Sequence, residues 1–336
     1  MAELAAAPAP PLLLYDADHV AQKYDEAVTT AVEVCAAATA GQTCFICMCG
    51  AEDEGIVRMC ACRGTTGFAH VSCLAKQAKI LREEAEANNF AKKVKDARWD
   101  RWDTCGLCEQ RYDGAVACAL GWACWKTYLG RPEEDQDRRA AMSVLGNGLD
   151  VAGHLEDALS ASEAGLSMEK RFGASRRTLL TVQGNLAHAY QSLRRLEDAL
   201  SLHRDVYSGY LKLKGEEHSD TLFWAVEYAS CLANLQRFEE AKSLMRKTLP
   251  VARRVLGESD QLLLDLGANY ARTLYLDPAA PLDDLREAVT TLEEIERTVR
   301  RAFGSAHPLA MEIEVALRNA RAALRTREET QPSGGA

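Results

Sequence analysis

The first third of this chain carries cysteine and histidine at short, repeated spacings, and no other feature restricts its possible folds as strongly. Four ligand pairs, each separated by one or two residues, follow one another: Cys44 and Cys47, Cys60 and Cys62, His70 and Cys73, Cys105 and Cys108. One tight turn can present two ligands of a tetrahedral zinc site from such a pair. Four pairs complete two sites, so the sequence predicts two structural Zn²⁺ ions and no catalytic side chain among these residues.

The other roles that cysteine can play fit this chain less well. The N-terminus lacks the basic residues and cleavage context of a secretory signal, so a disulfide framework is not expected. No strand-helix-strand pattern surrounds a Cys-x-x-Cys pair, which argues against a redox centre. Cys49 forms a competing pair with Cys47 and is the main alternative ligand. Four cysteines in alanine-rich or helical segments are predicted to be small buried residues: Cys35, Cys118, Cys124 and Cys231.

The charge and hydropathy of the chain exclude two classes of partner. Its 40 basic and 49 acidic residues give a net charge of −9, whereas nucleic-acid binding depends on Lys and Arg neutralising phosphates. The longest apolar run, residues 115–125, is too short for a membrane span. We therefore expect a soluble, cytoplasmic protein that binds no nucleic acid, with a nuclear location left open.

The second half of the chain repeats itself. Gly173, Gly215 and Gly257 are 42 residues apart, and Gly304 follows after 47 because residues 277–281 are inserted. Related segments place a small residue in the same phase of every period: Ala158, Ala199, Ala241 and Ala288 in one helix, and Ala187, Ala229 and Ala271 in the helix before it. Small residues let helices approach closely, so each period predicts one packed helix pair.

These segments, such as NLAHAY from Asn185 and RLEDAL from Arg195, resemble the 42-residue tetratricopeptide repeats of kinesin light chains over about residues 130–329. The resemblance implies a stacked α-helical solenoid whose concave face binds a peptide or protein target. It also implies that Asn185 and Asn269 contact the peptide backbone, while Glu227 replaces Asn in the middle repeat. Each Asn is alternatively a local hydrogen bonder, and another amphipathic helical solenoid is the alternative fold.

The order of the ligands resembles that of RING-CH (RING-variant, C4HC3) fingers, with one residue inside the second pair and CACRGTTGFAHVSCL as the densest match. A PHD finger usually has two residues there, and its Trp lies two residues before the last pair, whereas Trp102 lies three before Cys105. The resemblance implies a crossed, cross-brace arrangement: Cys44, Cys47, His70 and Cys73 at site 1, and Cys60, Cys62, Cys105 and Cys108 at site 2. Spacing alone leaves a sequential pairing open.

RING-CH domains belong to ubiquitin ligases, so the resemblance implies a ubiquitin-conjugating enzyme as partner and the helical repeats as the part that recruits substrate. Ile46 matches the family's apolar contact for that enzyme, although it can equally pack against the finger's own helix. Two positions depart from the family: Lys76 replaces a Trp, and Glu109 follows the last ligand where a basic residue is common. A non-catalytic scaffold for protein-protein interactions is the alternative function.

We therefore predict a mainly α chain in which a small two-zinc, RING-like finger precedes a tetratricopeptide-type solenoid. The predicted segments are a disordered or helical N-terminal extension (1–40), the finger (41–114), a connecting segment (115–138), the helical repeats (139–329) and a disordered tail (330–336). Within the finger, residues 74–96 are predicted to be a helix that protrudes as a spacer.

Overall fold

The computed structural model describes residues 12–52, 54–60, 62, 64, 66–304 and 308–330. Residues 1–11 and 331–336, for which disorder is predicted, and part of the repeat turn predicted at 306–308, lie outside these residues. The tail predicted at 330–336 is corrected at Thr330, which is the last residue of a helix. Within them the secondary structure is helical, apart from two isolated antiparallel bridges that join Val57 to Ala69 and Thr104 to Arg111. The prediction of a mainly α chain is confirmed.

The chain forms two compact units, one ending at Leu193 and the other beginning at Arg194. The helices of the first unit are α1 (Ala17–Thr39), α2 (Val71–Ala87), α3 (Lys92–Trp99), α4 (Gly114–Tyr128), α5 (Gln136–Val151), α6 (Leu155–Arg171) and α7 (Arg176–Ser192), with short 3-10 helices at Leu12–Tyr15 and Asp100–Trp102. Those of the second unit are α8 (Leu196–Lys214), α9 (Ser219–Asn234), α10 (Phe238–Val255), α11 (Gln261–Leu276), α12 (Leu282–Phe303) and α13 (Pro308–Thr330).

Helix α4 lies at the centre of the first unit. It is apolar on every side, as expected of a helix without a solvent face, and most of its residues from Val116 to Tyr128 are buried. It packs against α1, α2 and α5, and the indole N–H of Trp125 donates to the Leu14 carbonyl at 2.7 Å. The segment predicted as a connection, residues 115–138, thus contains the core helix that joins the finger to the first helix pair.

Glycine allows close contact at two of these interfaces. A Cβ atom at Gly148 of α5 would lie 2.5 Å from the Ala117 carbonyl oxygen of α4, so only glycine fits at this crossing. A Cβ at Gly55, in the finger, would lie 2.1 Å from a methyl carbon of Val32 on α1. Helices α1 and α4 contribute residues to both hydrophobic clusters of this unit, one under the finger and one against the first helix pair.

The repeats form antiparallel helix pairs, α5 with α6 in the first unit and α9 with α10 and α11 with α12 in the second. The seven alanines predicted at helix contacts are fully buried: Ala158, Ala187, Ala199, Ala229, Ala241, Ala271 and Ala288. Gly173, Gly215 and Gly304 follow second helices with positive φ angles of 65°, 82° and 85°, which favour glycine at a helix end. The predicted stack of helix pairs is confirmed.

The single helix predicted over residues 74–96 is wrong, because the chain forms two helices there. Asn88 ends α2, and both its backbone N–H and its side-chain amide donate to the Glu84 carbonyl. Asn89 then adopts a left-handed φ of 47°, a conformation that Asn tolerates better than most residues. Four residues separate the end of α2 at Ala87 from the start of α3 at Lys92, and α3 packs back on α2.

An ion pair links the finger helix α2 to α5. The Arg82 guanidinium donates to the Asp137 carboxylate at 2.8 Å, and Arg131 donates to the same carboxylate at 3.2 Å. The side chains of Arg82 and Asp137 are largely buried, so the pair is protected from screening by salt. This link orients α2 on the first helix pair.

Candidate metal centres

The structure brings the eight predicted ligands together in two groups. Within each group, the sulfur and imidazole nitrogen atoms lie within 4.8 Å of one another. The groups are Cys44, Cys47, His70 and Cys73, and Cys60, Cys62, Cys105 and Cys108. Among the described residues, the first ligand pair thus lies beside the third and the second beside the fourth, which is the crossed pairing and not the sequential one.

The first pair of cysteines lies on a tight turn, or knuckle, stabilised by three contacts to the first cysteine. The Met48 N–H donates to the Cys44 carbonyl at 2.8 Å, and the Cys44 N–H donates to the Cys49 carbonyl at 2.9 Å. The Ile46 N–H lies 3.4 Å from Cys44 Sγ, where it stabilises negative charge on the sulfur. Met48 has a left-handed φ of 61°, which lets the chain reverse.

The last pair of cysteines repeats this knuckle. The Glu109 N–H donates to the Cys105 carbonyl at 3.0 Å, and the Cys105 N–H donates to the Gln110 carbonyl at 2.9 Å. The Leu107 N–H lies 3.5 Å from Cys105 Sγ, and φ of Glu109 is 58°. Cys49 thus occupies the position of Gln110 and closes its turn through its carbonyl. Its thiol lies outside both four-residue groups, which argues against the alternative ligand.

His70, buried just before α2, is oriented for ligation. Its Nε2 lies 2.8 Å from the Gly50 carbonyl, an acceptor only, so Nε2 carries the proton and Nδ1 offers a lone pair. Nδ1 lies 3.4 Å from Cys47 Sγ and 3.7 Å from Cys73 Sγ. A hydrogen bond from the other ring nitrogen to a carbonyl is the usual way in which a protein fixes the tautomer of a metal-binding histidine.

The backbone of a glycine packs directly against the second group, where a side chain would not fit. Gly67 has a φ of 81°, and a Cβ there would lie 2.5 Å from Cys62 Cβ and 2.8 Å from Cys62 Sγ. Any larger residue would push the sulfur away from the Cys105 sulfur, which lies 3.7 Å from it. Gly67 is a supporting residue that sequence reasoning missed, although it lies inside the densest family match, CACRGTTGFAHVSCL.

The separations in both groups fit a tetrahedral ion. Metal-sulfur bonds of about 2.3 Å give sulfur-sulfur edges of about 3.8 Å, close to the distance between Cys62 and Cys105. Four protein ligands would complete the coordination of each ion. The donor sets, three thiols with one imidazole and four thiols, are those of structural zinc sites.

Electrostatics also favour a cation at these groups. Burial raises the pKa of the Cys73 thiol to about 12 and that of Cys62 to about 11. The hydrogen bond from Cys60 lowers the pKa of Cys105 to about 4, and the same contact raises the pKa of Cys60. The thiols therefore cannot all ionise by themselves. A divalent cation offsets the repulsion among the thiolates, which is why metal binding releases protons.

The residues expected to bind partners have mixed environments. Ile46 is half-buried against the finger core, so part of it is used within the finger itself. Leu107, at the same position of the second knuckle, is 52% exposed; sequence reasoning missed it, although the equal spacing of the two Cys-x-x-Cys pairs is the signal that could have found it. Lys76 is exposed on α2, and Glu109 directly follows the last ligand.

The two asparagines predicted to contact a peptide lie on first helices of repeats. Asn185 is half-buried on α7. Asn269 lies on α11, where its side-chain Nδ2 donates to the Asp265 carbonyl at 2.9 Å. The alternative role, a local hydrogen bond, is therefore present at Asn269. Peptide contact by either residue stays a prediction.

Comparison with protein families gives one match in the first half of the chain and one in the second. Residues 44–89 match the RING-variant domain. The chain carries a RING-variant domain. The match contains six of the eight predicted ligands of this RING-variant domain, so the placement of Cys105 and Cys108 beside Cys60 and Cys62 rests on the structure. Residues 178–254 match the tetratricopeptide repeat.

Solved structures with similar helical repeats include two at low sequence identity. One is a Podosopora anserina protein of nearly identical TPR-like repeats, assigned as a kinesin light chain. It is 17% identical to this chain, the match covers 70% of this chain and 98% of that one, and the TM-score is 0.46. The other is BtubC (BKLC) from P. vanneervenii, with 14% identity, 79% and 95% covered, and a TM-score of 0.41. No curated protein matches the chain.

None of the described helices is long and apolar enough to cross a membrane.

Proposed function

We propose that this protein is a RING-type E3 ubiquitin-protein ligase whose finger binds a ubiquitin-charged conjugating enzyme and whose helical repeats recruit the substrate. The observation that supports this best is the presence of two compact four-ligand groups in a chain with a RING-variant domain. A RING acts by holding the thioester of ubiquitin in a reactive geometry and forms no covalent intermediate, so no nucleophile is needed in the finger.

Two zinc ions are part of this proposal, one held by Cys44, Cys47, His70 and Cys73 and one by Cys60, Cys62, Cys105 and Cys108. Zinc with four protein ligands stabilises the fold and has no open position at which to activate water. The finger at residues 41–114 and the repeats at 139–329 are then the two functional parts of the chain. A cytoplasmic location stays a prediction.

We assign the contact with the conjugating enzyme to the knuckles. Ile46 and Leu107 occupy equivalent positions, two residues after the first cysteine of each knuckle, and both leave apolar surface in contact with solvent. An apolar residue on a rigid, metal-bound turn binds a partner at little entropic cost, because the turn is already ordered.

An autoubiquitination assay with the purified chain and a panel of conjugating enzymes tests the proposal. The expected result is activity with at least one enzyme and a loss of at least tenfold in Leu107→Asp, which alters an exposed side chain. Cys49→Ser is the control, because it changes the same type of knuckle without removing a ligand. Absence of activity across the panel, in protein that binds two zinc ions, would contradict the proposal.

The second candidate is a non-catalytic scaffold, and Lys76 and Glu109 favour it. Both residues replace types that help other fingers of this kind to bind or activate the charged conjugating enzyme. The variant Lys76→Trp separates the candidates, since position 76 is exposed and accepts the larger ring. A ligase should gain activity from this change. A scaffold should remain inactive with all enzymes of the panel, before and after the change.

A further inference from the structure

The second unit contains a groove between α11 and α13, the first helices of its last repeats. Its volume is about 490 Å³. Ile313 and Leu309 are buried at its base, whereas Met311 and Val315 are 56% and 50% exposed along α13. Two exposed apolar side chains on one face, beside a groove with an apolar base, offer apolar contact to an added segment.

Two acidic residues line the groove at equivalent positions of consecutive repeats. Asp265 and Glu312 are 47 residues apart, which equals the repeat length here once the insertion at 277–281 is included. They therefore have the same phase on α11 and α13, and both face the groove. The repeat geometry brings two negative charges side by side.

The protein does not neutralise this charge strongly. Burial, and after it the charges of Glu312, Glu227 and Asp260, together raise the pKa of Asp265 to about 6. The basic residue of the groove, Arg272, lies two turns further along α11 from Asp265. An ionised carboxylate among other acids in a half-buried place lowers stability, and a cation from a ligand would remove that cost.

We infer that this groove binds an extended peptide segment in which a lysine or arginine lies next to an aliphatic side chain. The basic group pairs with Asp265 and Glu312, and the aliphatic side chain packs on Met311 and Val315. The amide of Asn269 has a second N–H and a carbonyl oxygen with which to bind the peptide backbone. The inference rests on the proposed function, because it specifies the kind of target that the repeats recruit.

A positional-scanning library of extended octapeptides, incubated with the full zinc-loaded chain, tests this directly. The expected result is selection of Lys or Arg at one position and of Leu, Ile, Val or Met at a position next to it. Selection of acidic or uncharged peptides, or no selection, would overturn the inference. The assay contains no ubiquitin, so its outcome is independent of ligase activity.

Variants then locate the binding surface. The best peptide of the library, labelled with fluorescein, should bind the double variant Asp265→Asn and Glu312→Gln at least tenfold more weakly by anisotropy. Glu314→Gln is the matched control, since Glu314 lies two residues further on α13 and faces Arg300 of α12 instead of the groove. The inference fails if the double variant binds the peptide as tightly as the unaltered protein.

The two failures can be told apart. Selection of basic, aliphatic peptides by a chain without ligase activity would support the groove and contradict the proposed enzyme. An active ligase that shows no such selection would support the enzyme and contradict the groove. Loss of binding in the double variant cannot come from unfolding if its thermal transition stays at or above that of the unaltered protein, as the removal of crowded charges predicts.

Discussion

The finger and the helical repeats are stabilised in different ways. In the finger, eight side chains form two groups, and apart from α2, α3 and one 3-10 helix the described backbone between them has only two isolated bridges. In the repeats, one buried alanine after another marks contacts spread over every helix pair. If the finger holds the two proposed zinc ions, its stability is concentrated in a few ligands, whereas the stability of the repeats is distributed over many small contacts.

The two regions also treat buried charge differently. Lys242, buried on α10, has its ammonium group 3.2 Å from the carboxylates of both Asp277 and Asp284. The second unit thus compensates this charge with its own residues. Among the described residues, the two cysteine groups of the finger contain no comparable set of cations, and the proposed function assigns the compensating charge to zinc. Removing one ligand should therefore destabilise the protein far more than removing one contact between the helices of the repeats.

The largest expected effect is that of removing one ligand. Cys105→Ser should reduce bound zinc from two ions to one and unfold the finger, because binding at a structural zinc site contributes about 10–16 kcal/mol. Zinc content by mass spectrometry and the fluorescence of buried tryptophans, including Trp102, measure both effects. Cys49→Ser should keep two ions. A Cys105→Ser protein that retained two ions would refute the ligand assignment.

A smaller effect is expected for a large core residue of the repeats. Leu232→Ala, at a position 1% exposed on α9, should lower the free energy of unfolding by about 2–5 kcal/mol through lost contacts and a cavity. Zinc content should stay at two. The control Leu213→Ala, at a position 45% exposed, should change stability by less than about 1 kcal/mol. Urea titrations compare the two, and loss of zinc in Leu232→Ala would break the comparison.

The ion pair between α2 and α5 should rank next. Asp137→Ala leaves the largely buried Arg82 without its bidentate partner, and we expect a loss of about 2–3 kcal/mol. Glu86→Gln removes the more exposed partner of Arg82 and should cost less than about 1 kcal/mol. Urea unfolding followed in the first unit checks this ranking. Equal effects of the two variants would show that burial of the pair contributes nothing.

The smallest expected effect is a gain. Asp265→Asn should stabilise the protein by about 1 kcal/mol at pH 7.5, allowing for the partial exposure of the carboxyl group. Because its folded-state pKa is raised to about 6, the ionised form is penalised above that pH, and the penalty disappears as the pH falls toward 4. Thermal unfolding of both proteins at pH 7.5 and 4 measures the difference. A gain that persists undiminished at pH 4 would contradict this cause.

Much of this molecule could be predicted from local sequence patterns. Short ligand spacings and a 42-residue period are encoded within a few turns of chain, so the ligand groups and the helix pairs follow from them. The apolar composition of residues 115–125 is itself a signal of a buried helix, and it outweighs the prediction of a connecting segment there. The break at Asn88 was missed because helix ends depend on single capping residues.

Contacts between distant segments could not be predicted. Trp125 and Leu14 are separated by 111 residues, and their hydrogen bond follows from packing rather than from any motif. Likewise, the hydrogen bonds of the knuckles show that Cys49, like Gln110, closes its turn through its carbonyl group. The acidic pair Asp265 and Glu312 was hidden by the five-residue insertion, which disguises their common phase. Such features depend on register and tertiary contact, which spacing alone does not specify.

The central claim is that two closed metal sites are arranged in the crossed manner. The ¹¹³Cd NMR spectrum of cadmium-loaded Cys44→His protein tests it most directly, because this variant converts one site while histidine still binds metal. The account predicts two signals, one from four thiolates and one from two thiolates with two imidazoles. Two signals that each report three thiolates and one imidazole would reveal sequential pairing, and a single signal would contradict the two-site finger altogether.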